Sequence, residues 1–293
     1  MAMKNRSAVF LFFYFRLSHL NLPFILITVM NLEKLCAEVR ELSAETAEFI
    51  RREAPKVASD TIVSKSLHNF VTHVDKGSEE RLIAGLSKIL PEAGFIAEEG
   101  TRHDTNRQYT WVIDPLDGTT NFIHGLPPYA ISIALMEGNN VLLGVVHEIT
   151  SDECFWAWDK GKAWYNGKEI HVSATSHLKD ALIATGFPYT DYERVSPFMK
   201  TLEYLFNNSH GVRRLGSAAI DIAYLACGRF DGFYEYGLSP WDVAAAVKIL
   251  TEAGGRVCDF KKGNNYIFGR EIIAANAGIF DEFSTVISDM LRE

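Results

Sequence analysis

The sequence predicts an α+β fold of mixed α/β character, and three observations lead there. Residues 31–52 place Leu32, Leu35, Cys36, Val39, Leu42 and Ala47 at helical spacing, with Glu and Arg on the other face. Residues 130–136 and 141–147 are two apolar runs joined by Glu137-Gly138-Asn139-Asn140, a hairpin signature. Beyond Val172, short strand-like runs and amphipathic helical runs are interleaved, with no internal repeat and no low-complexity linker.

The remaining elements follow in chain order. Residues 78–90 read as a helix with Leu82, Ile83, Leu86, Ile89 and Leu90 on its apolar side, stopped by Pro91. Short strands are predicted at 94–97, 109–113 and 153–158, the last before the turn residues Asn166-Gly167. In the C-terminal part, 181–185 reads as a strand, 196–207 as a helix, and 217–227 as a helix ended by Gly228. Residues 233–236 form an aromatic strand, and 242–253 a helix stopped by Gly254-Gly255. Strands at 256–258 and 272–275 and a closing helix at 279–291 complete the chain. The change of pattern puts a domain boundary near 171–175, giving an N-terminal α+β domain at 30–172 and a C-terminal α/β domain at 173–293.

Composition excludes several function classes. Nearly half of the 293 residues are apolar and 23% are charged, which provides a sizeable core. The net charge is −8 and no Lys/Arg run exceeds two residues, so the basic stripe of a nucleic-acid binder is missing. Cys36, Cys154, Cys227 and Cys258 lie far apart with no zinc spacing, which predicts reduced thiols and a cytoplasmic protein. Residues 1–29 carry Lys4, Arg6 and Arg16 and no acid. Their apolar runs are broken by Arg16 and Pro23, short of the ~20 residues that a spanning helix needs. With no small-x-small cleavage site, they read as an N-terminal extension, with an upstream start codon at Met1, rather than as a signal, an anchor or packed structure.

Three acidic stretches could carry chemistry. In Trp111-Val112-Ile113-Asp114-Pro115-Leu116-Asp117-Gly118-Thr119-Thr120-Asn121-Phe122, an apolar strand runs into two carboxylates three residues apart and then Gly-Thr-Thr. A strand end can aim Asp114 and Asp117 at one point, and all-oxygen ligands suit magnesium. Gly118 permits a tight turn that lets the next amides face an anion, helped by a helix start near Thr120. Taken alone, Asp-x-x-Asp-Gly reads equally well as an exposed turn. Ala97-Glu98-Glu99-Gly100 alone reads as surface acids before a turn, and Trp241-Asp242-Val243-Ala244-Ala245-Ala246 as a capped helix start.

Together the three stretches, in this order and at these separations, resemble the inositol monophosphatase family, within the lithium-sensitive, metal-dependent phosphatase superfamily. The resemblance runs from about Asn31 to the C-terminus and includes Glu252-Ala253-Gly254-Gly255. It implies a layered αβαβα sandwich of the sugar-phosphatase type, with two sheets and helices between and outside them. It implies metal ligands at Glu98, Asp114, Asp117 and Asp242, with the Leu116 carbonyl as a further ligand, for roughly two or three magnesium ions. Thr119 would stand beside Glu98 and orient the attacking water, supported by Asp75 of Val71-Thr72-His73-Val74-Asp75. The Gly118 and Thr119 amides would hold phosphate, while Gly216-Ser217-Ala218 and Glu235 match segments that contact the polyol ring. Asp117 and Asp242 would border the substrate as well. One departure stands out: Asn69 occupies a position where the family usually has Asp, which puts metal binding by the preceding loop in doubt.

The function so implied is magnesium-dependent hydrolysis of a small phosphomonoester, with inositol monophosphate the foremost substrate, by direct attack of metal-activated water. The Asp-x-x-Asp spacing argues against the Asp-x-Asp nucleophile of haloacid-dehalogenase-type phosphatases. Histidinol phosphate, fructose 1,6-bisphosphate and 3′-phosphoadenosine nucleotides are the alternative substrates, and a non-catalytic binding protein on the same fold is the alternative class. The resemblance also implies a homodimer. His124 and His147 read as packing or surface residues, and Phe155, Trp156, Trp158, Trp164 and Tyr165 as strand packing.

Overall fold

A computed structural model describes residues 30–56, 63–66, 69–104, 106–187 and 192–291, except the side chains of 63–66 and 69–70. The readings made for residues 1–29 and for the Asn69 side chain fall outside the described residues. Residues 31–293 form one compact unit.

Helix α1 (Leu32–Glu53) starts where Asn31 accepts the Lys34 amide at 2.9 Å, and it buries Leu35, Cys36, Val39, Ala47 and Ile50. A short antiparallel pair, β1 (Val63–Ser66) and β2 (Asn69–Val71), leads into α2 (His73–Ile89). That helix begins five residues before the predicted Ser78. The cause is a capping box: Thr72 accepts the Val74 amide and Asp75 accepts the Thr72 amide, which stabilises a first turn lacking an apolar stripe.

The first sheet is built from β3 (Gly94–Ala97), β4 (His103–Asp104), β5 (Tyr109–Asp117), β6 (Ala130–Glu137), β7 (Asn140–Glu148), β8 (Glu153–Trp158), β9 (Ala163–Tyr165) and β10 (Lys168–Glu169). Their spatial order is β10-β9-β8-β7-β6-β5-β3-β4, antiparallel except for β3 beside β5. The predicted hairpin is β6–β7, with Glu137 opposite Asn140 across Gly138-Asn139. The aromatic strands pack as expected: Phe155 stacks on Tyr165 and Trp156 on Trp164 across β8 and β9. The short β4, β9 and β10 were not predicted, because runs of two or three residues carry too little periodicity.

The second sheet contains β11 (Leu182–Thr185), β12 (Gly211–Arg213), β13 (Gly232–Tyr236), β14 (Arg256–Cys258) and β15 (Glu271–Ala275), in the order β12-β11-β13-β15-β14. Its helices are α4 (Val195–Asn208), α5 (Ala218–Ala226), α6 (Pro240–Glu252) and α7 (Phe280–Leu291). Five-residue α3 (Thr119–Ile123) follows β5.

Strand alternation sorts these elements into five layers. Val112, Ala134, Val146 and Phe155 of the first sheet, and Ala184, Phe233 and Ala274 of the second, enclose α5 and α6 in one core. The opposite face of the second sheet buries Ile183, Tyr234 and Ile273 against Phe198 and Leu202 of α4 and Phe283 and Ile287 of α7. Helix α1 lies on the other face of the first sheet, where Ser43 meets His147 of β7 at 3.2 Å. The architecture is therefore the predicted αβαβα sandwich. Gly144 of β7 lets α6 approach closely, since a Cβ there would strike the Ala245 backbone. Cys36 and Cys258 are buried, and all four thiols are free. Among the described residues, no helix is long and apolar enough to cross a membrane.

Candidate metal centre

On a regular strand, residues three apart point to opposite faces, so Asp114 and Asp117 should diverge. The β5–β6 register shows why they do not. Asp114 pairs with Ser132 but Asp117 pairs with Ala130, so three steps along β5 match two along β6. The extra residue is a bulge at Pro115-Leu116, where proline's missing N–H costs no ladder bond. The bulge turns Asp117 back toward the side of Asp114, and the Leu116 amide donates to Asp114 Oδ1 at 2.9 Å.

Helix α6 brings the third acid. Asp242 stands at N3, where its Oδ2 accepts the Ser239 amide at 2.6 Å in a capping box. The cap and the ligand reading do not exclude each other, because a carboxylate has a second oxygen to offer. Oxygens of Asp114, Asp117 and Asp242 lie within 4.8 Å of one another. Asp114 is buried, whereas Asp117 and Asp242 are partly exposed.

The electrostatics are unfavourable as the residues stand. Burial, and then Glu98, Asp117 and Asp242, push the Asp114 carboxyl well above the usual carboxylate range. Burial, and then Asp117, do the same to Asp242. Asp117 rises to about 6 by burial, restrained by bonds from Ser217 and Ala219. Hard oxygen donors that can all ionise together only beside a cation form a set that fits a divalent ion such as magnesium. Glu98 lies outside the tight group of three, yet its charge reaches both Asp114 and Asp242. Its amide donates to the Ile113 carbonyl at 3.2 Å, which fixes the end of β3 beside the end of β5.

After the bulge, Gly118 takes φ +95°, and α3 starts at Thr119, one residue before the predicted Thr120. A Cβ on Gly118 would stand 3.2 Å from the carbonyls of both Gly216 and Pro128. Thr119 Oγ1 lies 2.9 Å from Asp75 Oδ1 and 3.1 Å from the Leu116 carbonyl. Asn121 donates to the Pro128 and Leu215 carbonyls, both at 2.8 Å, and so joins α3 to the loop before α5.

A match to the model of the inositol monophosphatase family spans residues 31–289. The chain belongs to this family. It is 37% identical to the inositol-1-monophosphatase of Caulobacter vibrioides, over 80% of this chain and 94% of that one. It is 40% identical to the Nus factor SuhB of Escherichia coli K12, over 78% and 86% respectively. Among solved structures, the extragenic suppressor protein SuhB of Bartonella henselae superposes with a TM-score of 0.83 at 33% identity, covering 87% of this chain and 98% of that one. The inositol monophosphatase of Thermotoga maritima gives 0.80 at 32%, covering 88% and 98%.

Several further residues singled out in the sequence lie around Asp117. Ser217 caps α5 and donates to Asp117 Oδ2 at 2.7 Å, and the Ala219 amide adds a second bond at 2.8 Å. Gly216 takes φ +97° against Asn121 and Arg214. Ala218, the first residue of α5, is buried and its side chain lies in the central core. Glu235 is buried on β13 and rises to about 8 through burial and then Asp117, with Arg214 opposing. Gly186 makes room for it, because a Cβ there would strike the Glu235 carboxylate.

Sequence reasoning assigned no role to Asn121, although it stands in the quoted motif, and passed over Asp221 and Glu79. Buried Asp221 shares the electrostatic surroundings of Glu235, Asp117 and Arg214. Glu79 is fully buried one helical turn beyond Asp75, a spacing that was available in the sequence as a hint.

Proposed function

We propose that the protein hydrolyses a small phosphomonoester with magnesium, inositol monophosphate being the foremost substrate. The observation that carries this reading is the convergence of Asp114, Asp117 and Asp242 at the mouth of the Gly118-Thr119 turn. Glu98, Asp114, Asp117, Asp242 and the Leu116 carbonyl would hold the metal. Bound there, magnesium would lower the pKa of coordinated water and neutralise charge building on the leaving oxygen.

The chain's own groups do the rest. Asp75 is buried and accepts from Thr72 through one oxygen, leaving the other to accept a hydrogen bond from the Thr119 hydroxyl. Thr119 Oγ1 then keeps lone pairs with which to accept a hydrogen bond from the attacking water. The Gly118 and Thr119 amides precede the first intrahelical bonds of α3 and would face the phosphate oxygens. Water attacks phosphorus directly, without a phosphoenzyme. Gly216, Ser217, Ala218 and Glu235 would border the alcohol half of the ester, with Glu235 accepting from ring hydroxyls.

A magnesium-dependent phosphate-release assay on inositol 1-phosphate, histidinol phosphate, fructose 1,6-bisphosphate and a 3′-phosphoadenosine nucleotide tests this. Fastest release from inositol 1-phosphate is expected. Preference for another member would reassign the substrate, and no release from any would favour a second reading. That reading, a binding role on the same fold, draws support from the equally close similarity to proteins named Nus factor SuhB.

A further inference from the structure

Glu79 is a fully buried carboxylate in the interior of α2, too far from either end to cap the helix. Its acceptors are spent on another segment. Oε2 takes the Glu99 amide at 2.7 Å and Oε1 takes the Thr101 amide at 2.9 Å. These two donors straddle Gly100, which turns the chain at φ +71° as it leaves β3. Glu98 immediately precedes them, and its own amide is bonded to Ile113. The segment carrying Glu98 is therefore held on one side by β5 and on the other by Glu79. Asp75, four residues earlier on the same helix face, holds Thr119.

We infer that Glu79 is a positioning residue for the metal centre, fixing the backbone turn from which Glu98 reaches the cation. This rests on the reading of Glu98 as a ligand. The physical case is one of acceptor count and precision. A ligand must be held to about half an ångström, and charge-assisted bonds to two backbone amides give a loop that stiffness. Glutamine at 79 keeps the volume but has one oxygen, so its NH2 must face one of the two amides. That donor–donor clash releases the turn beside Glu98 while the apolar core of α2 stays in place. Helix α2 thus steers two separate parts of the site, Asp75 holding the phosphate loop and Glu79 the Glu98 turn.

The test compares E79Q, E79D, E98Q and L86A. Leu86 is a fully buried apolar residue of the same helix, so L86A controls for lost stability alone. Manganese binding is followed by calorimetry, amide exchange is read at Glu99 and Thr101, and the magnesium dependence of turnover is separated into half-saturation and kcat. For E79Q, metal affinity falls about tenfold and exchange at the two amides rises, the size of effect expected from a residue that orients a ligand. E79D, which withdraws the charge by one methylene, shows the same pattern and serves if E79Q does not fold. L86A lowers the thermal midpoint but keeps metal affinity within about twofold. If E79Q and E79D lose midpoint but no more affinity than L86A, Glu79 is structural and the inference is overturned. If E98Q binds manganese as the parent does, the ligand reading itself fails and takes the inference with it.

Discussion

Ser217 donates its hydroxyl to the carboxylate of Asp117 at 2.7 Å, joining the bulged end of β5 to the first turn of α5. The same hydroxyl oxygen receives the Ile220 amide at 3.4 Å, so one side chain both caps a helix and orients an acid. Glu153 of β8 braces the far end of that helix through Tyr224 and Arg229, each at 2.8 Å. Ser217→Ala removes the cap and one of the two bonds on Asp117. A stability loss of about 1–2 kcal/mol is expected from the cap and the buried bond. Metal affinity should fall as well, because Asp117 keeps only the Ala219 amide. Thermal melts with and without magnesium check both effects.

Asp114→Asn separates stability from function. Asp114 is buried, and its carboxyl is raised first by burial and then by Glu98, Asp117 and Asp242. A raised folded-state pKa means the folded protein holds a proton that the unfolded chain releases near pH ~4. The contribution to stability is complete below that value and disappears as pH rises through the folded-state pKa. Metal-free wild type should therefore melt lower at neutral pH than in mild acid. Asp114→Asn should raise the metal-free midpoint at neutral pH and reduce the stabilisation that magnesium gives. Turnover should fall by about 10²-fold or more. Melting curves in chelator and in magnesium, beside phosphate release, decide the matter.

Much of this was legible in the sequence, and the exceptions share a cause. Asp114, Asp117 and Gly118 could be read because one strand and one turn carry them all. The bulge that makes Asp114 and Asp117 converge could not, since register belongs to the partner strand. Asp242 looked like part of a helix cap and is one; only its distance to Asp114 and Asp117 puts it in the acidic cluster. Glu79 gave no motif, because its partners are backbone amides and any residue type can supply those. The early start of α2 was missed for a related reason. Its first turn is held by the Thr72–Asp75 capping box instead of an apolar stripe.

Gly118→Ala tests the turn between the acids and α3. At φ +95° an L-residue is strained, and the new methyl would stand 3.2 Å from two carbonyl oxygens and 3.3 Å from the Tyr129 Cβ. Backbone strain of this kind costs of order 1–3 kcal/mol. Relief by a shift of this turn would disturb Thr119, which follows it and is bonded to Asp75. The expected outcome is a lower melting midpoint together with a kcat loss larger than that of Ser217→Ala. Steady-state kinetics at saturating magnesium separate the two variants.

His147→Gln should change the acid limb of stability without touching turnover. His147 lies on the α1 face of β7, away from the acids, with Nδ1 3.2 Å from Ser43 Oγ and Nε2 3.0 Å from Asp152 Oδ1. Burial pulls its pKa down, and the bond to Asp152 opposes without cancelling the shift. A depressed folded-state pKa has a definite sign: the unfolded chain takes up the proton first. The neutral ring is therefore no handicap above the ordinary histidine value of about 6.5. Stability is lost as pH falls from there through the folded-state pKa, where the loss levels off. Glutamine can still donate to Asp152 and carries no charge at any pH. The variant's midpoint should thus be lower than wild type near pH 8, through poorer packing, and the gap between the two should narrow as pH falls below about 6.5. Melts across that range check it, and parallel slopes for the two proteins would mean that another group sets the acid limb.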